Sequence, residues 1–276
     1  MRGVRPAMTD QLPMAGKSAL ITGAGSGIGR SIAWGLARSG ARVVLNDRDW
    51  SSTAGRRREK ETREYLDGLG ADYRLIEADV SSEGAVKDMF QLALSGTDSL
   101  DFLVNNAGEQ LPSAAHLQSL ADFSRVLDTN LVGAFLCART ALDHFVSTGV
   151  RGAVLNITSV HETVPKPGFA SYAASKAALR MLTATLALEY ARHGIRVNAI
   201  GPGAIDTEMN RDWVADREKK ARAEARIPLG RIGEPDEVAG LALFLLSDAA
   251  RYITGQSVLI DGGLSLHTDF QQDWTS

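Results

Sequence analysis

Short runs of apolar residues alternate along the chain with longer segments in which apolar positions recur at helical spacing. The runs are continuous and rich in Val, Ile and Leu, which is typical of strands covered on both faces of a sheet. Strands are predicted at 18–22, 42–46, 73–78, 102–105, 153–158, 196–200 and 257–260, and helices at 28–39, 62–68, 83–93, 120–146, 172–193 and 236–247. Repeated strand–helix units indicate parallel strands with right-handed crossovers. The pattern predicts an α/β fold, a doubly wound, Rossmann-type parallel sheet of about seven strands flanked by helices.

One domain accounts for this pattern. The chain has 276 residues, which suits a single large α/β domain, and no linker or internal repeat interrupts the alternation. No apolar segment follows the positive charges at the start of the chain, so it is not a secretory signal. Met8 and Met14 are alternative start sites, and we expect residues 1–14 to be a loose N-terminal tail. Residues 15–276 are expected to form one dinucleotide-binding and catalytic domain. At the other end, Phe270 and Trp274 favour a tail that docks rather than one that is disordered.

Composition excludes several classes of function. The formal net charge is -3, so there is no basic excess to hold a nucleic acid backbone. No apolar run approaches the roughly 18 residues of a membrane helix. Cys137 is the single cysteine and cannot form an internal disulfide, which favours a core position and a reducing, cytoplasmic location. None of the five histidines pairs with another at metal-ligand spacing, so we expect no catalytic metal.

A glycine-rich segment joins the first predicted strand to the first predicted helix. Glycines let the backbone turn tightly and approach a pyrophosphate, to which the helix start offers free N–H groups and its positive dipole end. The strand before it, the helix after it and the acidic end of the second strand supply the context of a dinucleotide site. The residues expected to bind the cofactor here are Gly23, Ser26, Gly27, Ile28 and Gly29.

Two opposing features after the second strand bear on cofactor choice. Asp47 stands where an acidic residue accepts hydrogen bonds from the adenosine ribose, and it would repel a 2′-phosphate. Arg48 follows directly and three more arginines occupy 56–58, and guanidinium groups pair well with phosphate. The alternative explanation of that run is a solvated helix face beside Glu59 and Glu61. We expect Asp47 and Arg48 to bind the cofactor, with NAD preferred and NADP as the alternative.

The ends of the third and fourth predicted strands complete the expected cofactor site. Asp79, followed by Val80, is placed to meet the adenine amino group. Alternatively it caps the helix that starts near residue 83, a position for which Ser81 and Ser82 compete. Small residues after the fourth strand would let the chain lie against the cofactor. The expected contacts there are Asn106, Ala107 and Gly108.

Four polar residues form a candidate catalytic group. Tyr172 and Lys176 are four residues apart at the start of a predicted helix, so they share one face. A free tyrosine has a pKa of about 10, and a neighbouring ammonium favours the phenolate and brings that pKa towards neutrality. Ser159 ends the fifth strand and can bind the substrate oxygen, while Asn130 can anchor a water that links Lys176 to solvent. The group predicts hydride transfer with Tyr172 as acid/base.

Together these motifs resemble the short-chain dehydrogenase/reductase family over residues 17–263. The resemblance rests on the glycine segment 22–29, on 105–108 and on the tetrad just described. It implies an NAD(P)-dependent oxidoreductase that acts on CH–OH donors and assembles as a homotetramer. It also implies that Tyr172 and Lys176 contact the cofactor together with the turn after the sixth strand. The residues of that turn are Pro202, Gly203, Ile205 and Thr207.

Further segments are similar to the bacterial glucose 1-dehydrogenases. The most specific is Ser-Val-His-Glu at 159–162, and others lie at 186–190 and 200–205. The resemblance implies oxidation of a sugar, whose anomeric carbon would yield a lactone. His161 would reach the substrate side of the crevice and bind a sugar hydroxyl, or only brace the substrate loop. Asn210 is a second candidate for a sugar hydroxyl.

The sequence departs from those enzymes near both ends of the crevice. Asp47 stands where the enzymes that use both cofactors tend to carry a neutral residue, and the stretch 49–61 is longer. Glu109 and Gln110 also differ from the expected residues. Cofactor preference and the substrate lid therefore do not transfer directly from the resemblance.

Two other functions remain open at this stage. A reductase of another carbonyl, such as a 3-oxoacyl thioester on acyl carrier protein, would favour NADPH and carry a basic patch near the cleft, for which the arginines at 56–58 are candidates. A nucleotide-sensing protein would keep the fold without the chemistry, but it would have no need of the complete tetrad. The expected partner is thus a small-molecule alcohol or sugar.

Overall fold

The computed structural model describes residues 13–97 and 99–266. Within them, seven strands form one sheet: β1 (Ser18–Ile21), β2 (Arg42–Asp47), β3 (Tyr73–Glu77), β4 (Phe102–Asn105), β5 (Ala153–Ile157), β6 (Arg196–Pro202) and β7 (Ser257–Ile260). All neighbouring strands are parallel, in the order β3-β2-β1-β4-β5-β6-β7. The predicted doubly wound sheet is confirmed. The predictions for residues 1–12, Phe270 and Trp274 lie outside the described residues.

Helices cover both faces of the sheet. In the described residues they are α1 (Gly27–Arg38), α2 (Thr53–Gly68), α3 (Glu83–Leu94), α4 (Leu120–Leu127), α5 (Ala134–Thr148), α6 (Ala170–Tyr190), α7 (Arg211–Val214), α8 (Arg217–Glu224) and α9 (Pro235–Leu246). A π-helical turn, Asp128–Gly133, joins α4 to α5, and the 3₁₀ turns are Val160–Glu162, Ala191–His193, Glu208–Asn210 and Asp248–Ala250. None of these helices is long and apolar enough to cross a membrane.

Two apolar layers enclose the sheet because successive strand residues point to opposite faces. Ile21 and Leu45 belong to the layer with α1 and α9, whereas Leu20 and Val44 belong to the layer with α3 and α5. Cys137 is fully buried in the second layer, and this burial raises the pKa of its thiol to about 12. The cysteine is thus a core residue, as its apolar surroundings in the sequence predict.

The site crevice follows from the strand order. From β1 the chain winds outward through β2 and β3, and then returns to β4 on the other side of β1. The two crossovers that leave β1 and β4 therefore diverge, and a crevice opens at the carboxyl ends of these two strands. Residues that directly follow the strands line this crevice.

The second helix is much longer than predicted. The expected span was 62–68, but α2 begins at Thr53, where the Ser52 side chain caps it by accepting a hydrogen bond from the Gly55 N–H. Its first three turns carry charged residues in place of an apolar stripe, so periodicity could not reveal them. Pairs four residues apart, such as Arg57 with Glu61 and Arg63 with Glu59, support the exposed face. The long 49–61 stretch is mostly this helix.

The predicted helix 120–146 is interrupted. It consists of α4, the π turn and α5, with Asn130 inside the π turn. Gly133 ends this turn against Val80, where an added Cβ would lie 2.7 Å from a methyl group. A π turn inside a helix widens the backbone locally and is frequent at functional sites.

Two other expectations need correction. Met14, placed in the loose tail, is only 3% exposed, and its N–H donates to the Ser39 carbonyl at 2.8 Å. The tail prediction is therefore wrong at Met14. In addition, residues 208–224 contain α7 and α8, which the apolar pattern did not predict because α8 consists of charged residues and alanines.

We predict that Gly55→Ala destabilises the protein whereas Gly68→Ala in the same helix does not. A Cβ at Gly55 would lie 2.6 Å from the Asp49 carbonyl oxygen, while one at Gly68 would meet nothing within 4 Å. Overpacking of this kind costs about 1–3 kcal/mol, which corresponds to a Tm lower by roughly 2–4 °C per kcal/mol. Thermal unfolding of both variants followed by circular dichroism measures this, and equal Tm values would contradict it.

Candidate active site

The glycine loop is fastened to the end of β4. The Thr22 hydroxyl accepts hydrogen bonds from the N–H groups of Asn106 (3.0 Å) and Ala107 (3.1 Å). The Asn106 side chain donates to the carbonyls of Thr22 (3.0 Å) and Gly23 (2.9 Å). Gly23 has a φ of +61°, and a Cβ there would lie 2.8 Å from the Ala107 Cα. Only glycine fits this position, both for its conformation and for its space.

The glycine loop opens into a groove of about 290 Å³. At its start, Ser26 caps α1 without a side-chain hydrogen bond, which leaves the first N–H groups of the helix for an anion. The groove contains most of the residues expected at the cofactor site, namely Gly23, Ser26, Gly27, Ile28, Asp47, Arg48, Asp79, Val80, Asn106, Ala107, Gly108 and Thr207. Most of the expected cofactor residues thus share one groove at the start of α1.

Asp47 is held by the backbone at the part of this groove where the adenosine of a cofactor is expected. Its carboxylate accepts from the N–H groups of Gly25 (3.0 Å) and Asp49 (3.1 Å). Arg58 of α2 lies 3.7 Å from the same carboxylate and lines the groove. Arg48 extends to Glu109, 3.8 Å away, with most of its side chain exposed. The solvated-face explanation thus suits Arg56 and Arg57 but not Arg58, which the sequence did not single out.

The cap of α3 is Ser82, whose hydroxyl accepts from the Ala85 N–H. Asp79 instead accepts from the N–H (2.9 Å) and the hydroxyl (2.7 Å) of Ser81, and it lines the groove. The capping alternative for Asp79 is therefore wrong. Its position next to the adenine end agrees with the expected role, which stays a prediction.

Tyr172 and Lys176 lie on the first two turns of α6, beside the carboxyl end of β5. The Lys176 ammonium donates to the Ile157 carbonyl at 2.8 Å and lies 5.6 Å from the centre of the Tyr172 ring. Burial lowers the pKa of Lys176 to about 8. Burial also raises the pKa of Tyr172, although a hydrogen bond with Ser159 opposes the rise. The shift towards neutrality that the sequence predicted is therefore wrong for the chain without a cofactor, because burial outweighs the neighbouring ammonium. Lys176 and Ser159 thus both lie near Tyr172.

Asn130 is directed by the π turn towards the segment after β4. Its amide donates to the Glu109 carbonyl (3.0 Å) and the Ser175 hydroxyl (3.1 Å), and its oxygen accepts from the Glu109 N–H (2.8 Å). A Cβ on Gly108 would be 3.3 Å from the Asn130 oxygen and 3.5 Å from the Lys176 ammonium. Asn130 and Lys176 therefore flank Gly108, and the water relay between them stays a prediction.

A buried carboxylate beside the tetrad was not predicted. The side chain of Glu162 is 3% exposed, accepts from the Ser257 hydroxyl at 2.9 Å and lies 3.4 Å from Arg180 of α6. Its negative charge opposes the effect of burial on the pKa of Lys176. The signal in the sequence was the Ser-Val-His-Glu segment, which was interpreted through its histidine alone.

His161 lies beside Tyr172. Its ring is 6.3 Å from the Tyr172 ring and 5.6 Å from Phe169, and Nδ1 is 2.9 Å from the Val164 carbonyl. A carbonyl only accepts, so Nδ1 carries the proton. Burial lowers the pKa of His161, which favours the neutral ring and leaves Nε2 as an acceptor. The histidine thus braces its loop through one nitrogen and has the other for a hydroxyl.

The second candidate for a sugar hydroxyl is used inside its own loop. The Asn210 amide donates to the Ile205 carbonyl at 2.8 Å, and its oxygen accepts from the Trp213 indole at 3.1 Å. Both polar ends of Asn210 are therefore engaged by the loop. Each of these atoms keeps one further hydrogen-bonding position, so Asn210 braces its loop while its contact with a sugar hydroxyl stays a prediction.

The turn after β6 lies next to the cofactor groove. β6 runs through Pro202, and Gly203 packs so closely against Asp261 that a Cβ would lie 2.7 Å from its Cα. Ile205 is buried and bridges to Gly233, so its side chain belongs to the core and only its backbone can meet a cofactor. Thr207 lines the groove beside Gly27. Among the described residues, no cluster of side chains is arranged to hold a metal ion.

Comparison with known proteins gives one consistent family. The sequence profile described as Enoyl-(Acyl carrier protein) reductase matches residues 23–265. The chain is 42% identical to 3beta-hydroxysteroid dehydrogenase 1 of Eggerthella lenta, over 94% of this chain and 97% of that protein. It is 40% identical to glucose 1-dehydrogenase of Gluconobacter oxydans, over 95% and 97% of the two chains.

Solved structures agree with the sequence comparisons. A short-chain type dehydrogenase/reductase from Mycobacterium marinum has a TM-score of 0.87 and 35% identity, covering 94% of this chain and 99% of its own. Gluconate 5-dehydrogenase of Burkholderia cenocepacia, in complex with NADP and tartrate, has a TM-score of 0.85 and 34% identity, covering 94% and 98%. The chain belongs to the short-chain dehydrogenase/reductase family and is an NAD(P)-dependent oxidoreductase that acts on CH–OH groups.

Proposed function

We propose that this enzyme oxidises a sugar in the manner of a glucose 1-dehydrogenase. The observation that carries this proposal is the neutral His161 beside Tyr172, with Nε2 available to accept a second hydroxyl of a polyol. The glucose 1-dehydrogenase of Gluconobacter oxydans and the gluconate 5-dehydrogenase of Burkholderia cenocepacia, both similar over almost their full lengths, support the same class of substrate.

The tetrad residues divide the proton chemistry among themselves. Tyr172, as phenolate, accepts the proton of the substrate hydroxyl, and Ser159 donates a hydrogen bond that steadies the oxygen. The Lys176 charge stabilises the phenolate, and the proton leaves past Lys176 towards Asn130. The bound nicotinamide supplies the hydride acceptor. At the anomeric carbon of a sugar this oxidation gives a lactone.

The geometry favours NAD as the preferred cofactor. Backbone N–H groups of Gly25 and Asp49 fix the Asp47 carboxylate at the adenosine end, where it can accept the ribose hydroxyls. A carboxylate in this position repels a 2′-phosphate.

A second candidate is a hydroxysteroid, because 3beta-hydroxysteroid dehydrogenase 1 of Eggerthella lenta is 42% identical to the chain. A steroid offers one reacting hydroxyl on a large apolar body, which gives the Nε2 acceptor of His161 no partner. Assays with D-glucose, D-gluconate and a 3β-hydroxysteroid separate the two, and turnover of the steroid alone would contradict the sugar proposal.

We also propose a homotetramer. Several apolar side chains on α5 and α6 are exposed in the single chain, among them Phe135, Met181 and Leu188, the last 85% exposed. Two long helices with apolar outer faces are a typical subunit interface.

Tyr172→Phe should abolish sugar oxidation without loss of cofactor binding. Removal of a general acid/base lowers the rate by roughly 10²- to 10⁴-fold. Initial rates of NAD and NADP reduction with D-glucose measure the loss, and NADH fluorescence titration checks that the groove remains intact. A variant with near-normal turnover would assign the acid/base to another group.

His161→Leu should lower kcat/KM for D-glucose about tenfold, the usual cost of a lost hydrogen bond to a substrate hydroxyl. If His161 binds one particular hydroxyl, the monodeoxyglucose that lacks this hydroxyl should have the same low kcat/KM with the wild type as D-glucose has with the variant. The variant should have equal kcat/KM values for D-glucose and for that monodeoxyglucose. His193→Leu, on an exposed 3₁₀ turn, is the control. Equal losses on all deoxyglucoses would mean that His161 only braces its loop.

Lys176→Met should change how stability depends on pH. In the folded wild type the pKa of Lys176 is about 8, against 10.5 for an unburied lysine. Between these two pH values the unfolded wild type keeps the proton on Lys176 while the folded wild type loses it. The free energy of unfolding of the wild type therefore rises with pH in this range, and the variant lacks this rise. The Tm of the variant relative to wild type should therefore fall from pH 7 to pH 10. Lys87→Met, at an exposed lysine, is the control, and a pH-independent difference would contradict the assignment.

A further inference from the structure

Arg58 is the fixed cation of the adenosine end. Its side chain is 16% exposed, whereas that of its neighbour Arg57 is 64% exposed and pairs with Glu61 on the outside of α2. Arg58 reaches inward from the helix and lines the groove beside Asp47. Of the three successive arginines, it alone combines burial with a place in the cofactor groove.

Two acidic residues and the glycine loop surround the Arg58 guanidinium. Its Nη2 donates to the Asp49 carbonyl at 2.8 Å and lies 3.7 Å from the Asp47 carboxylate and 3.8 Å from that of Asp49. Its Nε is buried without a hydrogen-bond partner in the described part of the chain. A Cβ on Gly25 would lie 2.5 Å from the Asp47 carboxylate and 3.2 Å from this Nε. The cation and the carboxylate thus lie within 4 Å of each other, packed so close to Gly25 that a side chain there would clash with the carboxylate.

This contact changes what Asp47 does to a cofactor. An isolated carboxylate at the adenosine ribose repels a 2′-phosphate. A guanidinium within 4 Å offsets much of that charge and offers N–H donors that suit phosphate. The ribose hydroxyls of NAD still find the carboxylate oxygens. The pair can therefore accept either cofactor, which Asp47 alone would not predict.

Arg48 is less suited to the same role. Its side chain is 58% exposed, and its guanidinium lies 3.8 Å from Glu109, which is itself paired with Arg125 at 2.7 Å. The charge of Arg48 is therefore directed to the opposite wall of the groove.

We infer that Arg58 is a specificity-determining residue that keeps the site open to a cofactor with a 2′-phosphate by offsetting the charge of Asp47. The inference rests on the proposed function of the groove as an NAD(P) site. It concerns only which of the two cofactors binds, and not which alcohol is oxidised.

The test is the affinity of the full-length chain for NADH and NADPH, measured by fluorescence titration without substrate. Arg58→Gln should weaken NADPH binding about tenfold, the usual effect of losing one charge-assisted contact, and NADH binding less than about threefold. Arg58→Lys keeps the charge and should retain most of the NADPH affinity. Arg57→Gln removes a charge from the exposed face of the same helix and should change neither affinity.

Three results would overturn the inference. Equal weakening of both cofactors by Arg58→Gln would mean that the arginine only holds the loop. Unchanged NADPH affinity would mean that it does not face the phosphate, and a wild type that binds NADH but not NADPH would mean that Asp47 excludes the phosphate unaided. Binding of neither reduced cofactor would instead contradict the proposed function of the groove.

Discussion

The hydrogen bonds of Thr22 with Asn106 and Ala107 hold the glycine loop against the end of β4. The ladder between β1 and β4, in which Ile21 pairs with Val104, sets the relative position of the two strand ends, and these contacts carry that register on into the loops. The groove floor, the start of α1 and the position of Gly108 between Asn130 and Lys176 all follow from it. The contact therefore sets the geometry of the cofactor groove and of the tetrad together.

The tetrad carries a cost to the fold. Lys176 is a buried ammonium whose contacts are one carbonyl and the more distant charge of Glu162, so its charged form is poorly compensated. Burial likewise disfavours the phenolate of Tyr172. Burial thus disfavours the charged form of both side chains. Such a cost agrees with the proposed roles of the two residues, because stability and activity often conflict where a site needs buried charge.

Sequence patterns predicted the strands and the strand-end residues because these depend on local properties. Continuous apolar runs must be covered on both faces, and residues such as Asp47 and Ser159 then lie at one edge of the sheet. The patterns did not predict Arg58 or Glu162, since the direction of a long charged side chain depends on which tertiary partners it meets. The π turn at Asn130 was also hidden, because its apolar spacing resembles that of an ordinary helix.

His161 and Asn210 show the same limit more sharply. In the sequence, each is a polar residue that follows a strand on the expected substrate side. No feature of the neighbouring residues shows which of the two has hydrogen-bonding groups left for a substrate. In the structure, one side chain uses a single nitrogen for its loop and the other uses both of its polar atoms. A residue can recognise a ligand only with hydrogen-bonding capacity that the fold has not already consumed. By that criterion the Nε2 of His161 supports the proposed contact with a substrate hydroxyl, whereas Asn210 has spent half of its hydrogen-bonding capacity on its own loop.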